Sequence, residues 1–350
     1  MNPAFRSFLS ASVSDRRDIF LTTANRLGTT IQNVEKDFWV CWTLDALFNG
    51  LPKNGPRLLF KGGTSLSKAF GLISRFSEDI DITVFRQDLG QSAMIEELES
   101  LSGKKRRARL DAIRTACQAH ISGQMLQALS SILRETLLAN GIPETSALVE
   151  LDESDESRQS LLVRYPSVLE STGEYVRSAV KIESGAKSAL DPHQESTVTP
   201  YIASDLPDFD FRVLGVTTVH PGRTFWDKIV ILHGLRCWFE RRGELRHGGQ
   251  RVSRHYYDVF KLAQSDTGKL ALSDRALGID CARHARLFFF IADYDLEHAA
   301  PGSLKICPTE EMTTALQRDF KAMAGMVFGE MPPFESVLDA LADLERRLNS

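Results

Sequence analysis

The chain has 350 residues, 43% hydrophobic and 25% charged, with a net charge of −4. That is room for one large domain or two modest ones around an ordinary core. It excludes a polycationic nucleic-acid binder, so any contact with nucleic acid must come through local basic patches.

The first strong pattern lies between Asp15 and Phe48, where Val34, Phe38, Cys41, Trp42 and Leu44 recur at helical spacing. Leu51-Pro-Lys-Asn-Gly-Pro56 breaks it. Arg57 to Phe60 reads as a short strand leading into Gly62-Gly63. A helix follows on Leu66, Ala69, Phe70 and Ile73, with Gly71 weakening its end. Asp79-Ile-Asp-Ile-Thr-Val84 alternates acid and apolar residues, the period of a strand. Residues 93–140 read as long helices, Glu150 to Glu156 as an acidic loop, and Ser160 to Tyr165 and Tyr175 to Glu183 as two more strands. From Pro221 the pattern is helical nearly to Asn349, with breaks near Gly243 to Gln250, Ala300 to Gly302 and Pro332-Pro333.

The expected fold is α/β (α+β): N-terminal helices over 1–56, a catalytic domain with a mixed sheet over 57–218, and a C-terminal helical bundle over 219–350. Met1 to Asp18 has no apolar signal-peptide core, and the longest apolar run, Leu287 to Ala292, is too short to span a bilayer. The five cysteines (Cys41, Cys117, Cys237, Cys281, Cys307) are scattered, none at zinc-ligand spacing, which predicts a reduced, cytoplasmic protein. The eight histidines are dispersed, which argues against a histidine-built metal centre.

The chemistry concentrates at residues 61–84. Two aspartates at i and i+2 on a strand, Asp79 and Asp81, point to one face, where they can share a pair of Mg²⁺ ions. Gly62 and Gly63 let backbone N–H groups approach phosphate oxygens at a helix start. Thr64 and Ser65 add hydroxyl donors, and Lys61 and Lys68 add positive charge. Each half alone is a common surface feature. Strand, Gly-Gly, helix and Asp-x-Asp in that order form a far rarer constellation, one suited to nucleotidyl transfer.

At these residues the sequence resembles a known family. Phe60-Lys-Gly-Gly-Thr-Ser-Leu-Ser-Lys-Ala-Phe-Gly-Leu-Ile73 followed by Arg75-Phe-Ser-Glu-Asp-Ile-Asp-Ile82 is similar to the AbiEii/AbiGii (MenT-like) nucleotidyltransferase toxins of bacterial toxin–antitoxin and abortive-infection systems. Weaker likenesses lie at Glu35-Lys-Asp-Phe-Trp39, Val180-Lys-Ile-Glu183, Arg223-Thr-Phe-Trp-Asp-Lys228, Ser253-Arg-His-Tyr-Tyr-Asp258 and Pro333-Phe-Glu-Ser-Val337.

The resemblance implies a DNA polymerase β-like fold. It implies Mg²⁺-dependent transfer of a nucleotide from an NTP to an RNA acceptor, the 3′ end of tRNA in characterised relatives, and a separately encoded antitoxin. Asp79 and Asp81 would bind metal. Gly63, Thr64 and Ser65 would hold phosphates, with either hydroxyl making the contact. Lys228 would bind the triphosphate, Asp258 would be the acid of the last motif, and Ser77 would be a regulatory serine. Nucleotidylation of a protein or small molecule, and a non-catalytic binding module keeping the fold, are the alternatives.

Most of the remaining residues of interest carry two readings. Glu183 is either a third carboxylate serving as base or an ordinary strand-end glutamate. Lys228 falls among Phe225, Ile229 and Leu232, so its ammonium must snorkel or meet an anion. Arg254 and Asp258, four apart, could pair along one helix or serve the site. Lys181 reads as an outward-facing strand lysine. Lys104-Lys-Arg-Arg107 with Arg109 reads as an RNA contact or a solvated face. The crowd Arg236, Arg241, Arg242, Arg246, Arg251 and Arg254 reads as a path for the acceptor strand. Trp238 and Phe239 are there either to stack a base or to fill a core.

Overall fold

The computed structural model describes residues 1–169, 178–249 and 251–350. Contacts divide the chain into two compact units. The first holds residues 1–69, 76–93 and 103–218, and the second holds 70–75, 94–102 and 219–350.

The first unit begins with three helices, α1 (Pro3–Leu9), α2 (Val13–Leu27) and α3 (Ile31–Asp45). The single helix expected over Asp15 to Phe48 is thus broken. Gly28 ends α2 in the left-handed conformation (φ +65°), and the Thr30 side chain caps the first turn of α3. Helical periodicity ran through both helices because both face one core. Phe5, Phe8, Phe20, Phe38 and Phe211 gather there with ring centroids 4.9–6.4 Å apart.

Strand β1 (Leu58–Lys61) then runs directly into α4 (Gly62–Lys68). The expected helix through Ile73 stops at α4 because Gly71 turns the chain at φ +61°. Strand β2 (Ile80–Val84) follows. Helix α5 (Ile95–Ser100) belongs to the second unit; α6 (Gly103–His120) and α7 (Leu126–Leu138) return to the first. The remaining strands are β3 (Leu148–Leu151), β4 (Ser160–Arg164), β5 (Ala179–Gly185), β6 (His193–Val198) and β7 (Val213–Val219).

The result is the expected mixed α/β architecture, a seven-stranded sheet in the order β3-β4-β5-β2-β1-β7-β6. Strand β2 lies antiparallel to β1 and parallel to β5 at its centre. The start of the acidic segment is strand, not loop, since Glu150 and Leu151 belong to β3. Strands β6 and β7 were not anticipated; exposed polar residues interrupt β6 (His193-Gln-Glu-Ser-Thr-Val198) and hide its alternation. Residues 175–177 of the strand expected at Tyr175 to Glu183, and Gln250 of the expected break, lie outside the described residues.

The second unit is helical: α8 (Pro221–Arg242), α9 (Ser253–Gln264), α10 (Asp266–Ser273), α11 (Arg275–Phe288), α12 (Glu310–Ala322) and α13 (Phe334–Asn349), with α5 against α11. Pro221 opens α8 at a position where no N–H is needed, and Gly243 closes it in the left-handed conformation. Helix α9 is central and touches α8, α10, α12 and α13, so Tyr256 to Phe260 are all buried. Segment 70–75 is tied to this unit by backbone: Phe328 N–H donates to the Ser74 carbonyl at 2.9 Å, and Arg75 bridges Val327.

Candidate active site

In the first unit the antiparallel register sets Lys61 beside Asp81, and the parallel register sets Glu183 on the other side of Asp81. Paired residues in neighbouring strands share a sheet face. Lys61, Asp81 and Glu183 therefore stand in a row on one face, while Ile80 and Ile82 point into the core.

Gly62 makes room for this row. Its φ is +79°, and a Cβ placed there would lie 2.0 Å from Asp81 Oδ2. The Asp81 carboxylate thus occupies the space that any side chain at residue 62 would need, which puts the acid against the diglycine bend. Lys61 Nζ lies 3.7 Å from Asp81 Oδ1, and the carboxylate keeps 28% of its surface open.

Asp79 sits just before β2, on a segment held at several points. The buried Thr64 hydroxyl bonds the Asp79 carbonyl and lies 2.8 Å from Ser77 Oγ. Lys36 pairs with Glu78 at 2.7 Å. Ser65 donates to the Gly62 carbonyl at 2.9 Å, bracing the bend from inside. Both hydroxyls are fully buried here and act on the backbone of the site.

Glu183 is held by Lys181, whose ammonium lies 3.2 Å from Glu183 and 3.1 Å from Asp152. Lys181 therefore lies on the outward face of its strand, opposite the buried Val180 and Ile182, and bridges two carboxylates there.

The second unit gathers another cluster. Asp258 on α9 is wholly buried and accepts from Lys228 Nζ at 2.9 Å, and from Arg75 Nε and Nη2 at 2.8 Å each. Burial alone would raise the Asp258 carboxyl, but the charges of Lys228 and Arg75 outweigh it and hold the group well below the usual carboxylate range. Lys228 is pulled down, chiefly by burial and then by the nearby Arg75 and Arg254 cations, with Asp258 opposing. His255 is pushed far below its ordinary value by burial, Lys228 and Arg254, and its buried Nδ1 has no hydrogen-bond partner among the described residues. Asp258 is thus bound to Lys228 and Arg75 rather than to Arg254 one turn away.

The family model of the nucleotidyl transferase AbiEii toxin of type IV toxin–antitoxin systems matches residues 45–342. The chain belongs to this family. Among solved structures, the nucleotidyltransferase toxin MenT4 of Mycobacterium tuberculosis H37Rv is similar, with 14% identity and a TM-score of 0.42 over 94% of this chain and 97% of that one. The curated proteins contain no match.

For an AbiEii toxin, a nucleoside triphosphate substrate and a cognate antitoxin follow from the family, as does the general use of divalent metal by nucleotidyltransferases. The donors on the sheet face fit such an ion. They are carboxylate oxygens, the preferred ligands of Mg²⁺, and one of them is housed in the space Gly62 leaves open. Asp79, Asp81 and Glu183 are the residues that could hold it.

Other expected contributors are engaged elsewhere. Lys68 is not available to a phosphate in this structure. Its ammonium is buried 2.8 Å from Asp37 and 3.7 Å from the centre of the Tyr201 ring, so its charge is neutralised inside the first unit. The arginine crowd of the toxin is also largely committed. Arg236 pairs with Glu240, Arg241 and Arg242 with Asp293, and Arg246 donates to the Tyr294 hydroxyl. Trp238 is half-buried and packs edge-on against Tyr294, with the Arg242 and Arg246 guanidinium groups over its ring. Lys104, Lys105 and Arg107 remain exposed on α6, while Arg109 bonds Gln91.

His233, Cys237 and Asp295 bring potential ligand atoms within 4.8 Å of one another. His233 Nδ1, however, accepts from the Lys305 N–H at 3.0 Å, which leaves the proton on Nε2, facing the Asp295 carbonyl. That tautomer offers no lone pair to a metal. Among the described residues, no helix is long and apolar enough to cross a membrane.

Sequence reasoning overlooked Arg75, Lys36 and the bridging role of Lys181. Arg75 was legible in principle, as an arginine set between Ile73 and Phe76 in an otherwise apolar stretch.

Proposed function

We propose that this toxin transfers a nucleotide from an NTP to the 3′-terminal hydroxyl of an RNA, a tRNA in particular, using Mg²⁺, in the bacterial cytoplasm. The observation that carries the reading is the Asp81 carboxylate seated against Gly62 with Glu183 in register beside it. Asp79 and Asp81 are the proposed metal ligands. A bound Mg²⁺ pair would neutralise phosphate charge and orient the α-phosphate.

The chain's own residues do the rest. Gly62 and Gly63 keep the bend free of side chains where phosphate oxygens approach. Thr64 and Ser65 fix the backbone around that bend, with Thr64 holding the Asp79 carbonyl. Glu183 accepts the proton of the attacking hydroxyl as its oxygen bonds the α-phosphorus; the bond to the β-phosphate oxygen breaks and pyrophosphate leaves. Lys228, buried beside one carboxylate and two arginines, is the ammonium for the polyphosphate. Ser77 is the proposed control point, because a phosphate there would break its bond to Thr64 and set negative charge beside the acids. Full transfer by Ser77→Asp would remove it from that role.

The test is incubation of the toxin and its Asp81→Asn variant with labelled NTPs, Mg²⁺, total RNA and lysate protein. The expected result is label at RNA 3′ ends with the wild-type toxin alone. Label on protein or a small metabolite, with clean RNA, would overturn the acceptor.

A further inference from the structure

We propose that Arg75 is a positioning residue for nucleotide binding, locking the Asp258 carboxylate so that Lys228 is presented to the polyphosphate. The assignment rests on the nucleotidyl-transfer reading above.

The geometry is specific. Arg75 is 3% exposed and Asp258 is fully buried. Two parallel N–H···O bonds of 2.8 Å join the guanidinium to both carboxylate oxygens. Such a fork fixes the plane of the carboxylate as well as its charge. With that plane fixed, Lys228 Nζ meets Oδ2 at 2.9 Å. An ammonium has three donors, and among the described residues Asp258 is the only side-chain acceptor Lys228 has, so two N–H groups remain to be aimed.

Charge points the same way. Arg75 and Lys228 place two buried positive charges on one carboxylate, and Arg254 adds a third nearby. With both carboxylate oxygens held by the Arg75 fork, Asp258 does not depend on Lys228 alone, which lets the ammonium meet an external anion. The backbone supports the fork. Phe328 N–H and the Tyr257 hydroxyl both donate to the Ser74 carbonyl, at 2.9 and 3.4 Å, anchoring the residue before Arg75.

The test uses the full chain and Arg75→Lys, which keeps the charge and loses the fork. With folding verified by thermal melting, the variant is expected to raise the KM for NTP about tenfold while kcat changes far less. In an Asp258→Asn background the same substitution should add nothing, because Arg75 acts through that carboxylate. Should Arg75→Lys not fold, Arg75→Gln, which removes the charge as well as the fork, is expected to raise the KM at least as far and is read against the same Asp258→Asn background. As a readout independent of turnover, acetylation of Lys228 by an amine-reactive reagent, followed by mass spectrometry, should be slower in the variant than in the wild type, because the unforked Asp258 carboxylate then draws the ammonium in.

An unchanged KM with unchanged labelling would overturn the assignment and leave nucleotidyl transfer intact. So would an undiminished effect in the Asp258→Asn background. A wild-type chain that binds no NTP would sink both.

Discussion

Replacing Gly62 by alanine tests the site at its tightest point. The new methyl carbon would start 2.0 Å from Asp81 Oδ2 and 2.8 Å from Cγ. Carbon–oxygen contacts below about 3 Å are essentially forbidden by repulsion, so the carboxylate must withdraw by about 1 Å. It can do so by rotating, because its far end is flexible, and the fold should survive. Alanine at φ +79° adds a backbone cost of about 1–2 kcal/mol. A 1 Å displacement of a catalytic group commonly costs about 10²-fold in rate.

Gly62→Ala is therefore expected to lose about 1–2 kcal/mol in urea denaturation and about 10²-fold in single-turnover transfer from labelled NTP. In an Asp81→Ala background the collision with the carboxylate is gone, leaving the backbone cost and a tight 3.0 Å approach to the Asp81 Cβ. Wild-type transfer by Gly62→Ala would refute the claim that Asp81 must stand in that space. A stability loss that grows when Asp81 is shortened would refute the proposed origin of the strain.

Three further outcomes follow from the same structure. Asp81→Asn should abolish transfer yet shift stability by no more than ~1 kcal/mol, since it removes a half-exposed pair to Lys61, and chelation by EDTA should reproduce the loss of activity until Mg²⁺ is restored. Lys68→Ala strands Asp37, which is 2% exposed, and should cost about 3–5 kcal/mol by chemical denaturation; normal stability with lost NTP affinity would return Lys68 to the phosphates. His255 has a folded pKa far below its unfolded value, so the unfolded chain binds the extra proton and stability falls as pH drops below about 6.5. His255→Asn should remove up to ~1.4 kcal/mol per pH unit from the slope between pH 6.5 and 5, and an unchanged slope would show that the ring is protonated in the fold.

The sheet-borne part of the site was legible because its signals are local. Asp79 to Val84 alternates at a strand's period, and the glycines precede it directly. The register that sets Lys61 and Glu183 beside Asp81 is a matter of which strands pair, and nothing in one sequence states that β2 lies between β1 and β5. Lys228 was legible from its apolar neighbours. The partner of Asp258 was not, because Arg75 lies 183 residues away while Arg254 stands at a tempting helical spacing. Lys68 was misread for the opposite reason: it is close in sequence to the diglycine, but its ammonium is drawn to a buried acid on α3.

The interleaved path of the chain bears on how the molecule can be dissected. A fragment beginning at residue 219 would carry Asp258 and Lys228 but leave behind the six residues that end in Arg75, and α5 with them. Its core would then hold an acid and an amine without the guanidinium that orders them. Truncations meant to isolate a helical half should accordingly give insoluble or misassembled material, and grafting between relatives must exchange three stretches of chain together.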